Sequence, residues 1–221
     1  MGQTETMTDS SMPGPTPQPS SPAPADSSPH RVVRYEVAER IATITLNRPE
    51  VRNALSSEVL TVLWDAMVRA GHDESVDVII LTGADPAFCA GLDLAELSSS
   101  GANLSATAGL GAHRGPFPRL DKPLIGAING VAVTGGLELA LNCDFLIASE
   151  HAKFGDTHSR VGVMPGWGLT VLLPQAIGIR RAREMSFTGN FVDAGQALAW
   201  GLVNRVVPHH ELMAVTRSIA T

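Results

Sequence analysis

Apolar and polar residues alternate with a period of two in two short segments, with Val33, Tyr35 and Val37 on one face of the first and Ala42, Ile44 and Leu46 on one face of the second. Ala38-Glu39-Arg40 lies between them, so the pattern predicts a β-hairpin. Arg48-Pro49 breaks the second strand, and Ser56-Ser57-Glu58 supplies a cap and a first-turn carboxylate for a helix through about Ala70. Leu60, Leu63, Trp64 and Met67 recur at helical spacing and predict a core-facing stripe. Short apolar runs at 78–81, 124–128 and 145–148 read as strands, and the stretches 136–142, 169–177 and 194–200 read as helices. Their alternation argues for an α/β fold with strands buried by helices. Residues 98–115 are small, polar and glycine-rich without a period, which predicts a mobile loop. Gly109-Leu110-Gly111 within it has neither a preceding strand nor the spacing of a nucleotide loop.

Composition narrows the class. With 221 residues, 44% hydrophobic and 17% charged, the chain reads as one soluble globular domain, placed here at 30–221. Residues 1–29 are rich in Pro, Ser, Thr and Gln, too polar to offset the entropy of ordering, and predict a disordered tail. That stretch lacks the apolar core of a signal peptide, and no apolar run approaches the roughly 18 residues of a membrane helix. A formal charge of −6 argues against nucleic acid as a partner. Cys89 and Cys143 read as reduced, packed thiols of a cytoplasmic protein.

Two stretches carry the candidate chemistry: Phe88-Cys89-Ala90-Gly91-Leu92-Asp93-Leu94 and Val133-Thr134-Gly135-Gly136-Leu137-Glu138-Leu139. The pattern turns helical after Gly135-Gly136, which puts the Gly135 NH at or near a helix N-terminus, where unpaired NH groups attract negative charge. With the Leu92 NH it would form a pair able to hold an oxygen that becomes negative during a reaction. Glu138, three residues beyond Gly135, could point back at that place.

The run 41–207 resembles the enoyl-CoA hydratase/isomerase, or crotonase, family, through ITLNRPEVRNAL, LTGADPAFCAGLDL, INGVAVTGGLELALNCDFLIAS, AKFGDTHSRVGVMPGWGLT and ALAWGLVNRVVP. The resemblance implies a spiral of repeated β-β-α units and a coenzyme A thioester as substrate, with no further cofactor and no metal. It implies that the thioester carbonyl sits between the NH groups of Leu92 and Gly135, and that Arg52, Ala90, Asp93, Gly166 and Trp167 meet the substrate. Of the two glutamates used by the family's hydratases, the first matches Glu138. The second falls on His158, which can serve as acid or base but differs in reach and charge from a carboxylate.

Three further departures stand out. Thr134 interrupts the usual glycines, Ala95 stands where a lysine often aids phosphate binding, and members continue past Ile219 with helices that help form trimers. The C-terminal helical part therefore reads as truncated, and a homo-trimer or hexamer is expected where those helices are present. The activity implied is hydration of a 2-enoyl-CoA, with double-bond isomerisation or acyl-CoA binding without catalysis as alternatives. A Ser-His-Asp hydrolase lacks its Gly-x-Ser-x-Gly elbow here.

Overall fold

The computed structural model describes residues 31–104 and 115–221. The expected tail lies outside the described residues, as do positions 105–114 of the expected loop.

The predicted hairpin forms from β1 (Val33–Ala38) and β2 (Ile41–Leu46), antiparallel from Val33↔Leu46 to Ala38↔Ile41. Its two turn residues, Glu39 and Arg40, both have positive φ, at 52° and 62°, the handedness that suits twisted strands. Neither is a glycine; the Arg40 guanidinium is held by Asp77 and by the Glu74 carbonyl. Helix α1 (Ser57–His72) starts at Ser56, whose hydroxyl accepts from the Val59 NH, and buries Leu60, Leu63 and Met67 of the predicted stripe, whereas Trp64 at its edge is only half-buried.

Three strand-strand-helix units follow. They are β3 (Val78–Gly83), β4 (Ala87–Cys89) and α2 (Leu94–Ser99); β5 (Leu124–Ile128), β6 (Val131–Val133) and α3 (Gly135–Leu141); β7 (Phe145–Ser149), β8 (Lys153–Gly155) and α4 (His158–Val161). Helices α5 (Leu169–Ile177) and α6 (Ile179–Thr188), strand β9 (Phe191–Asp193), α7 (Ala194–Trp200), β10 (Arg205–Val207) and α8 (Leu212–Ala220) complete the described chain. The first strand of each unit joins a six-stranded sheet ordered β1-β2-β3-β5-β7-β10, and the second joins a four-stranded sheet ordered β4-β6-β8-β9. Each unit thus advances one place in both sheets, which is the spiral that the resemblance implies. Both sheets are mixed, because β1 and β9 pair antiparallel and the remaining pairs are parallel.

The main core gathers Phe88 and Phe154 of the small sheet with Ile44 and Leu81 of the large sheet and Leu63 and Met67 of α1. On the far face of the large sheet, Ile41, Ile80, Ile125 and Ile147 pack under Leu212 of α8. Burial on both faces explains why β3 and β5 read as unbroken apolar runs.

Two expectations are corrected. The apolar runs 78–81 and 124–128 read as the strands that precede the two glycine stretches, but a second, short strand intervenes in each unit, β4 and β6 of the small sheet, because a three-residue strand is too short to show a period. The expected loop 98–115 also begins late, since α2 runs to Ser99 and residues 102–104 are helical. Among the described residues, no helix is long and apolar enough to cross a membrane.

Candidate active site

The two glycine stretches meet through steric necessity. A Cβ on Gly91, whose φ is +85°, would overlap the Thr134 hydroxyl, and a Cβ on Gly136 would overlap the Cys89 carbonyl oxygen. Glycine at both positions lets α3 approach the end of β4. The Leu55 NH donates to the Gly91 carbonyl at 2.8 Å and the Asp93 NH to the Leu55 carbonyl at 3.0 Å, so Leu92, between them, turns its own NH away from Leu55. Gly135 is the first residue of α3, where an NH has no partner within its helix. Leu92 and Gly135 both line a cavity of about 120 Å³, with Ala90, Leu97, Thr134 and His158. Thr134, which interrupts the usual glycines, is strained: its φ of 49° and ψ of −121° suit glycine, and its hydroxyl donates to the Val133 carbonyl at 2.7 Å.

Glu138 lies on α3 and is only 2% exposed. Its Oε1 accepts from the Trp167 NH at 2.7 Å and from the Leu169 NH at 3.3 Å. The Asn142 amide, one turn further, donates to the Trp167 carbonyl at 2.9 Å and fastens the same turn to α3. A second cavity of about 50 Å³ is lined by Glu138, His158, Leu92, Gly166 and the buried Trp167. Trp167 packs in the core and also walls this space.

His158 borders both cavities. Its Nδ1 donates to Asp156 Oδ1 at 2.7 Å, and its Nε2 stands 3.5 Å from Glu138 Oε2. Burial opposes the imidazolium, but the hydrogen bonds to Asp156 and Glu138 outweigh it and push the pKa up to about 9. The protonated ring is thereby favoured at neutral pH, the form that can serve as an acid. For Asp156, burial again favours the neutral form, yet the bonds from His158 and Ser186 hold the carboxyl below its usual range.

The other predicted residues divide. Ala90 lines the larger cavity and Gly166 the smaller. Asp93 caps α2 through the Ala95 and Glu96 NH groups and pairs with Arg48 at 2.9 Å, so it shapes the loop that carries Leu92. The Arg52 carbonyl accepts from the Ala90 NH at 3.0 Å while its side chain is exposed. Asn142 and Ser186 escaped the sequence reading. The Asp-x-His spacing of Asp156 and His158 was the available signal, because an Asp oxygen readily takes the backbone NH two residues on.

Ser149, His209 and Asp85 do come together, with His209 Nδ1 at 3.0 Å from the Ser149 hydroxyl and Nε2 at 3.2 Å from Asp85. Ser149 is 0% exposed, so this group is a structural tie and not a nucleophile. Burial likewise pushes the Cys89 thiol up to about 12.

The family described as Enoyl-CoA hydratase/isomerase matches residues 36–221. The chain belongs to this family. It is 43% identical over 187 residues to the Probable enoyl-CoA hydratase 1, peroxisomal, of Arabidopsis thaliana, covering 81% of this chain and 68% of that relative. The crystal structure of an enoyl-CoA hydratase from Mycobacterium avium superposes with a TM-score of 0.77 at 52% identity, over 86% of this chain and 79% of that one. A monofunctional enoyl-CoA isomerase from M. smegmatis gives a TM-score of 0.71 at 38% identity, over 86% of this chain and 83% of that one. Family membership thus carries an acyl-CoA substrate class but spans more than one reaction.

Proposed function

We propose that the chain hydrates a 2-enoyl-CoA, with Glu138 as base and His158 as acid. The observation that carries this reading is the 3.5 Å approach of Glu138 Oε2 to His158 Nε2 beside the cavity lined by Leu92 and Gly135. The Leu92 and Gly135 NH groups would hold the thioester oxygen, and losing one such donor typically costs about 10² to 10³ in rate. Glu138 takes a proton from a water molecule as the water oxygen bonds to the β-carbon, and the carbon–carbon π electrons move to make the enolate. The His158 imidazolium then protonates the α-carbon. Glu138 is left protonated and His158 neutral, and transfer across their contact restores both. The assembly into a homo-trimer or hexamer, the cytoplasmic location and a phosphate contact from Arg52 belong to the same proposal.

Isomerisation is the second reading, because shifting a double bond needs the oxyanion donors and one proton carrier, a part that Glu138 alone could fill. Offering 2-enoyl-CoA and 3-enoyl-CoA side by side separates the readings. A 3-hydroxyacyl-CoA formed from the first supports hydration, whereas conversion of the second to 2-enoyl-CoA without hydration favours isomerisation. Tight binding with neither product would favour a non-catalytic acyl-CoA binder.

A further inference from the structure

Asp156 is 2% exposed and His158 6% exposed. A single oxygen, Asp156 Oδ1, takes both the His158 backbone NH at 3.3 Å and the ring Nδ1 at 2.7 Å. The ring is thereby held at two points by a residue two positions earlier. The Ser186 carbonyl of α6 accepts from the Ser159 hydroxyl of α4 at 3.0 Å, and Ser186 helps to lower the Asp156 pKa, so a neighbouring helix buttresses the segment that carries the pair. The titratable groups facing the ring are Asp156, from the turn after β8, and Glu138, from α3. Arg160 on α4 turns away to the Thr188 carbonyl and Asn190.

We propose that Asp156 is a positioning residue for the reaction: by holding Nδ1 it aims Nε2 of His158 at Glu138 and the substrate cavity, and keeps that nitrogen as the one that gives up its proton. This inference rests on the acid role proposed for His158. A histidine substituting for a carboxylate could rotate its ring and present either nitrogen. With Nδ1 committed to Asp156, the proton lost is the one on Nε2, and the neutral ring is left as the Nδ1–H tautomer. Asp156 also supplies a fixed negative charge that favours the cationic ring, which suits an acid working at neutral pH.

The test uses the full chain with ¹⁵N-labelled histidine, the His158 signals being assigned by comparison with His158→Gln. In the parent, ring nitrogen shifts above the titration midpoint should report Nδ1–H with a bare Nε2. In Asp156→Asn, which keeps an acceptor oxygen but removes the charge, the His158 midpoint should fall by at least about one pH unit. The alkaline limb of kcat for 2-enoyl-CoA hydration should fall with it, while KM stays within about twofold of the parent. Asp156→Glu should restore part of both shifts. An Nε2–H tautomer in the parent, an unmoved midpoint in Asp156→Asn, or an equal loss of kcat at every pH would overturn the inference. Should Asp156→Asn fail to fold, the tautomer in the parent still decides. The labelled-histidine measurement needs no turnover, so an inert parent with the expected tautomer would sink the hydratase reading while supporting the Asp156–His158 arrangement.

Discussion

Glu138 divides its two oxygens: Oε1 is held by the Trp167 NH at 2.7 Å, whereas Oε2 stands 3.5 Å from His158 Nε2. One oxygen fastens the turn that carries Gly166 and Trp167 to α3, and the other faces the His158 ring. A carboxylate in the first turn of a helix is favoured by the helix dipole in any case, so the structural and the proposed catalytic roles coexist in one side chain.

Glu138→Gln tests this division. The amide oxygen can still accept from Trp167 and Leu169, so the melting temperature should fall by only a few degrees. The amide NH₂ then opposes the His158 donor, and no base remains. Hydration of a 2-enoyl-CoA should fall about 10² to 10⁴-fold, measured as loss of the conjugated double bond beside a thermal melt of both proteins.

The raised pKa of His158 makes stability depend on pH in a defined window. Its folded value of about 9 exceeds the ordinary histidine value of 6.5, so the charged ring stabilises the fold fully below about 6.5, and that contribution is lost as pH rises through about 9. Asp156 has the opposite sign: its depressed pKa contributes above the usual carboxylate range and is lost as pH falls through its folded value. In urea titrations, the parent should therefore be more stable than His158→Gln at pH 6, and the difference should shrink at pH 10. An advantage unchanged between these pH values would contradict the assignment of the raised pKa to His158.

Gly136 and Gly166 should respond oppositely to alanine. A Cβ on Gly136 would overlap the Cys89 carbonyl oxygen, whereas one on Gly166 would meet nothing within 4 Å. Gly136→Ala should cost about 1–3 kcal/mol as α3 is forced off β4. Gly166→Ala should be neutral or stabilising by about 0.4–1 kcal/mol. Denaturant unfolding of the two variants gives the comparison.

Thr134 sits in a glycine-like conformation with one hydroxyl hydrogen bond in return. Thr134→Gly relieves about 1–3 kcal/mol of strain, against roughly 1 kcal/mol for the bond and a similar entropy term for the glycine. Thr134→Val keeps the branched Cβ and loses the bond. The glycine variant should thus be the more stable of the two in denaturant unfolding, by about 1 kcal/mol and at most about 2.

Much of this fold could be read from the chain because its longer elements carry a period. The stripe on α1, the hairpin around Glu39 and Arg40, and the buried runs of β3 and β5 all announce themselves. The second sheet does not, since β4, β6, β8 and β9 span three residues apiece, and only their order in space makes them a sheet. At the site, Leu92, Gly135, Glu138 and His158 were all named from sequence and the fold places them around adjoining cavities. What sequence could not supply was the environment of His158. Its protonation depends on two buried carboxylates, one of them 20 positions away in the chain, and on their distances from the ring.

The most direct measurement is turnover of a short trans-2-enoyl-CoA by the folded chain in ¹⁸O-labelled water, with the product identified by mass spectrometry. The account predicts a 3-hydroxyacyl-CoA that carries the solvent oxygen, formed by the parent and nearly abolished in Glu138→Gln. A folded parent that binds the thioester yet yields no hydroxylated product, or a Glu138→Gln variant as active as the parent, would contradict it.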